Sequence, residues 1–168
     1  LDTIYDITKA LDPTRPVITS SGSFPTERSD VHDVHDYEQN PELFKEYYSE
    51  IDKGIVRDQI YRQLPEQQRY NPKLPVFVSE YGGIKWVIDG ENAGWGYGNM
   101  VESEEEYFSR LKGLTDVLLD NGNIFAFCLT QLTDVEQEIN GLLTYDRRFK
   151  FAPERFKEIF GRKSVIED

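Results

Sequence analysis

Val76-Phe77-Val78-Ser79-Glu80-Tyr81-Gly82-Gly83 sets one carboxylate at the end of a β-branched and aromatic run and follows it with two glycines. A strand that carries an acid to its C-terminal tip is how α/β folds present catalytic groups, and glycine lets the chain turn sharply there and leaves room for a ligand. The octapeptide alone describes equally well a buried strand meeting an ordinary turn with a solvated Glu. Strict alternation places Glu80 on the side of Val76 and Val78, and His35 on the side of Tyr37. A Tyr hydroxyl beside a carboxylate can hold its orientation and modulate its basicity. Such a carboxylate is a candidate general base or nucleophile, and carboxylates attack well at an anomeric carbon, whose oxocarbenium-like transition state needs negative charge beneath it. A retaining enzyme would need a second carboxyl group roughly 5–5.5 Å away.

These groups need a sheet to bring them together. The opening residues 1–11 have apolar positions at Ile4, Ile7 and Leu11 and stop before Pro13, as a helix does. Residues 15–20 read as a short strand ending in a Ser-Ser-Gly-Ser loop, and residues 31–37 as a second strand. Asn40-Pro41 starts a helix that runs to Gly54. Residues 55–74 carry little pattern. A third strand spans 75–80, and residues 84–101 form a long connection that holds both tryptophans. Ser103 to Glu106 is a capping box that leads an amphipathic helix to Asn121-Gly122. The fully apolar run 123–130 reads as a fourth strand buried on both faces, with Cys128 as a small buried side chain. A closing helix covers 153–160.

Alternation of strands and helices predicts βα units around a parallel sheet. Four strands cannot close a (β/α)8 barrel, so the pattern fits half a barrel, or equally a small open sheet. At the carboxyl edge of such a sheet stand Ser20-Ser21-Gly22, His35-Asp36-Tyr37, Glu80-Tyr81-Gly82 and Thr130-Gln131. His35 and Asp36 read either as ligand contacts or as a local pair that supports the loop. Trp86, Trp95 and Tyr97 offer rings to stack on sugars, or equally to pack a lid. His32 and His35 fall on opposite faces of a strand, which argues against a shared metal.

A net charge of -12 over 168 residues argues against a nucleic-acid backbone or an anionic membrane as partner. The single cysteine excludes an intrachain disulfide and a Cys-rich zinc site. No segment has the roughly 18 apolar residues of a membrane span, and residues 1–11 lack the pattern of a signal peptide. The compartment is not legible.

Taken in order, Asp12-Pro13-Thr14-Arg15-Pro16-Val17, His35-Asp36-Tyr37, Val78-Ser79-Glu80-Tyr81-Gly82-Gly83 and the long motif from Thr130 to Leu142, followed by Tyr145-Asp146-Arg147, resemble the C-terminal half of the catalytic barrel of glycoside hydrolase family 2. That family includes β-galactosidases, β-glucuronidases and β-mannosidases. The resemblance covers essentially the whole chain and implies a partial (β/α)8 TIM barrel, strands five to eight with their helices. It implies a retaining mechanism without cofactor or metal. Glu80 matches the family nucleophile and Tyr37 a tyrosine that contacts it; the carbohydrate-binding set would be His35, Asp36, Trp86, Trp95, Gln131 and Asp134. The family's acid/base lies in an Asn-Glu pair, which neither Glu91-Asn92 nor Ile139-Asn140 supplies. The opening helix looks like the one after strand four, so that acid is expected upstream of Leu1, on an N-terminal half-barrel acting as partner. Where many relatives carry a Trp, this chain has Cys128-Leu129-Thr130-Gln131, which weakens transfer of substrate specificity. Two functions follow from different classes: a β-galactosidase-like glycosidase carrying the nucleophile alone, or a non-catalytic sugar-binding or scaffolding module. Open barrel edges also predict self-association.

Overall fold

The computed structural model describes residues 1–22, 24–67, 70–88 and 94–167; Glu91 and Asn92 lie outside them. Within these residues the order is α1 (Asp2–Leu11), β1 (His32–Asp36), α2 (Pro41–Tyr47), α3 (Gln59–Gln63), β2 (Val76–Gly82), α4 (Glu104–Leu119), β3 (Ile124–Thr130) and α5 (Pro153–Phe160). The three strands form one parallel sheet in the order β1-β2-β3. This is a small α/β fold compatible with part of a barrel.

The caps act where the sequence places them. Asn40 accepts from the amides of Glu42 and Leu43, and Pro41 occupies the first turn of α2. Ser103 accepts from the Glu106 amide at the start of α4. α2 stops at Tyr47, and a 3-10 turn over Ile51–Lys53 carries the chain to Gly54, earlier than the apolar spacing suggested. Residues 15–20 form no strand. Pro16 has no amide to donate, and Val17 spends its own on the Asp30 carboxylate (2.9 Å) while its carbonyl accepts from the Asp30 amide (2.9 Å). The sheet therefore has three strands rather than four.

One face of the sheet packs on α2 and α4. Val34, Val76, Val78, Tyr81 and Ile124 meet Phe44, Tyr48, Leu114 and Leu118 there. Removing such a side chain from water contributes about 1.5–3 kcal/mol. A second cluster joins α4 and α5 through Tyr107, Phe108, Leu111, Phe151 and Phe156. The other face has no such cover among the described residues. Phe125 is 44% exposed against Phe77 (ring centroids 5.9 Å apart), and Cys128 is exposed. The expectation that this strand is buried on both faces, with a buried Cys128, is thus corrected. Its apolar residues exceed what the two helices can cover.

α1 also lacks a partner. None of its residues is buried, and Leu1, Ile4, Ile7 and Leu11 are all exposed. Polar ties hold it in place: Tyr5 Oη to Asp30 (2.7 Å), Lys9 Nζ to Asp30 (3.1 Å), and an Arg28–Asp6 ion pair. No described helix is long and apolar enough to cross a membrane.

Candidate active site

Glu80 reaches its position through a β-bulge. Val34 pairs with Val78 and His35 with Glu80, so β2 carries one residue more than β1 in this interval; it also carries one more than β3 between Val78 and Tyr81. Val76, Val78 and Tyr81 belong to the helix-side core. The extra residue therefore turns Glu80 to the opposite face from Val76 and Val78, which corrects the strict alternation read from the sequence. Bulges of this kind re-aim side chains beside active sites.

The Glu80 side chain is 38% exposed. The Tyr37 hydroxyl donates to its Oε2 at 2.5 Å, and His35 Nδ1 lies 3.1 Å from the same oxygen, within ion-pair distance but without hydrogen-bond alignment. Oε1 has no hydrogen-bond or ion-pair partner among the described residues. Burial, and then the bond to Glu80, push the Tyr37 phenol well above its ordinary value, so it stays a donor at neutral pH. The other His35 nitrogen, Nε2, lies 3.0 Å from Ser21 Oγ and 3.8 Å from Asp33 Oδ2. The Tyr37 ring stacks on Tyr97 at 3.6 Å, and Trp95, half exposed, stands edge-on to Tyr97 at 5.7 Å. Gly82 and Gly83 both adopt positive φ, and a Cβ on Gly83 would strike the Tyr97 and Tyr37 rings. Glycine thus lets the tyrosine pair close over the strand end.

The Trp95 segment is sewn to the loop after β3: its amide donates to the Gln137 carbonyl (2.7 Å), and the Ile139 amide donates to its carbonyl (2.9 Å). Gln131 donates to Asn140 (2.8 Å), and Asn140 donates to Glu138 (3.1 Å). Burial first, then the charge of Glu138, raises the Tyr97 phenol. Glu80, Tyr37, His35, Trp95 and Gln131 therefore belong to one neighbourhood at the carboxyl edge of the sheet.

Three residues of the expected set serve elsewhere. Asp36 points to the helix side with no exposed side-chain surface. Arg62 grips both its oxygens at 2.9 Å, and the Tyr48 hydroxyl donates to it at 3.0 Å. Asp134 is buried, accepting from Lys150 Nζ (2.7 Å) and the Gly141 amide (2.8 Å), so it closes a loop. Trp86 packs on Phe151 and Tyr107 in the second core. Each has its polar groups, or much of its ring surface, engaged within the fold. Asp33, not singled out from the sequence, lies 3.8 Å from His35 Nε2 with no exposed side-chain surface. Its place two residues before His35, on the same strand face, was the available signal.

No family model matches this chain, and no curated protein does. Solved structures do share its fold. A GH2 β-galacturonidase from Eisenbergiella tayi superposes with a TM-score of 0.65 at 19% identity, over 99% of this chain and 30% of its own length. The β-glucuronidase of Lactobacillus rhamnosus gives 0.62 at 18%, over 98% and 29%. That of Dictyoglomus thermophilum gives 0.60 at 18%, over 96% and 28%. The fold is that of a part of GH2 glycosidases. The chain spans less than a third of the length of these structures.

Proposed function

We propose that this chain supplies the nucleophile half of a retaining β-glycosidase, corresponding to strands five to eight of the barrel. The observation that carries the reading is Glu80, bulged onto the open face at the strand tip, with one oxygen held and the other unengaged. Glu80 attacks the anomeric carbon to form a covalent glycosyl ester, and Tyr37 holds it. An acid/base on an upstream half-barrel protonates the leaving group and then activates water. The GH2 neighbours and the motif order support this assignment. The uncovered stripe of α1, the bare sheet face and the unpaired edges of β1 and β3 are the surfaces that half would cover.

The substrate class is a neutral, β-galactoside-like sugar rather than a uronide. The neighbourhood of Glu80 carries Asp33 and Glu138, while Arg62 and Lys150 are already matched to the buried Asp36 and Asp134. A further carboxylate on the sugar would meet like charge here. Trp95 stacks on the sugar, and Gln131 contacts it at the rim.

Mixing the chain with the upstream half and assaying chromogenic β-galactosides against β-glucuronides tests both statements. The chain alone should turn over several orders of magnitude more slowly than the pair, because leaving-group protonation and water activation are both missing. Strong activity from this chain alone would refute the missing-partner claim. If a mechanism-based fluoro-sugar leaves Glu80 unlabelled in the pair, the non-catalytic sugar-binding module stands instead. Light scattering separates the surfaces' occupants: a clean monomer counts against self-association.

A further inference from the structure

We propose that Asn121 is a deamidation site at which the chain ages, independently of any glycosidase chemistry, and that the change releases a tie between α2 and α4. Asparagine is a thermolabile residue. It is most so before glycine, which puts no Cβ in the way of the next amide nitrogen as that nitrogen approaches the side chain. The sequence has two such pairs, Asn121-Gly122 and Asn140-Gly141. The structure leaves the first open and locks the second.

At the first pair the reacting groups are accessible. Gly122 is exposed, and its amide has no hydrogen-bond partner among the described residues. A Cβ there would meet only Val165, at 3.9 Å. Both residues line an open cleft of about 520 Å³ between α2 and α4, which admits water. The side-chain oxygen of Asn121 accepts from the Asn123 amide (3.0 Å) and from Asn123 Nδ2 (3.3 Å). These donors draw charge from Cγ and stabilise that oxygen as it becomes negative, as donors do in acyl transfer. Gly141 differs at each point. Its amide donates to Asp134 at 2.8 Å, and a Cβ on it would strike the backbone of Thr133 and Asp134. Asn140 is 2% exposed, with its side chain spent on Gln131 and Glu138.

Water is the only co-reactant. The Gly122 amide gives its proton to hydroxide, and its nitrogen bonds to Asn121 Cγ. Ammonia leaves with the electron pair of the Cγ–Nδ2 bond and a proton from water, and a cyclic imide remains. Water opens the imide at either carbonyl, to an aspartate or an isoaspartate at this position. Asn121 Nδ2 donates to the Tyr48 carbonyl, at the end of α2, at 3.1 Å. A carboxylate cannot donate, so either product sets two acceptors face to face there. Isoaspartate also adds a backbone carbon just ahead of β3, where the Ile124 amide donates to the Asn121 carbonyl (3.1 Å).

Peptide mapping of the full chain, incubated in warm, mildly alkaline buffer with and without urea, decides this. In the folded chain the peptide that holds Asn121 should convert at least about tenfold faster than the one that holds Asn140, which must first open a buried loop. In urea the two rates should converge. Gly122→Ala, whose methyl the open loop accommodates, should slow conversion at Asn121 severalfold and leave the urea midpoint unchanged. Equal rates at the two sites in the folded chain, or conversion of Asn121 only in urea, overturns the site. Asn121→Asp should lower the urea midpoint, and the aged unmodified chain should show a shift in the same direction. Midpoints that stay put in both overturn the released tie.

Discussion

Asp36 and Glu80 end neighbouring strands at the same edge of the sheet, and each accepts from a tyrosine, Tyr48 in one case and Tyr37 in the other. They differ in what else they have. Asp36 has no exposed surface and a guanidinium across both oxygens. Glu80 is 38% exposed, with the Tyr37 hydroxyl and the His35 ring both against one oxygen. A carboxylate that holds a fold together has every lone pair and its charge answered. One placed for attack has a fixed half and an open half. The bulge in β2 is what puts these two acids on opposite faces.

The comparison breaks most visibly at Glu80. Glu80→Gln should cut turnover of a chromogenic glycoside by the reassembled pair at least about a thousandfold, with little change in a urea melt. If turnover survives, Glu80 is not the nucleophile. Arg62→Ala should do the reverse: it strands a buried charge on Asp36 and should cost about 3–5 kcal/mol of stability, read as a lower urea midpoint. A melt unchanged by Arg62→Ala would mean that Asp36 is not the structural acid. Tyr37→Phe removes the hydrogen-bond donor on Oε2 and should lower turnover about tenfold to a hundredfold, again with little loss of stability. Equal losses in both assays would erase the distinction drawn here. The smallest effect at neutral pH comes from the tyrosines themselves. Burial first, and then their carboxylates, raise both Tyr37 and Tyr48 above the ordinary 10.0. Their contribution is therefore complete below about pH 10 and is lost as pH rises past it, since the unfolded phenols ionise first. Absorbance at 295 nm should show these two un-ionised until the chain unfolds; early, reversible titration of all ten tyrosines would contradict this.

Much of the frame was legible because it is written in local signals. Asn40-Pro41, Ser103 and Pro153 mark helix starts that the structure keeps, and the apolar run that ends at Glu80 is the central strand. What escaped depends on partners distant in sequence. Residues 15–20 have a strand's composition, but Asp30 captures the Val17 amide. Asp36 and Glu80 look alike as acids at strand ends; Arg62, 26 residues beyond Asp36, tells them apart. Trp86 and Trp95 share one loop and the same ring, yet one enters the Phe151 cluster and the other stands at the rim. The bulge was invisible for a different reason: periodicity counts residues, and an inserted residue shifts the count without changing composition.

That inserted residue also separates two selective demands on β2. Up to Val78 the strand's rhythm answers only to the helices behind it, so conservative volume changes at Val76 or Val78 can be absorbed by the core without swinging the acid. Beyond it, the aim of the carboxylate is set by the bulge and by the groups that meet it. Deleting Ser79 would restore a regular strand in which Glu80, now directly after Val78, still faces away from the helices, whereas straightening β2 with Ser79 in place would turn Glu80 toward them. The irregular step lets one strand be revised for packing while its tip stays on target.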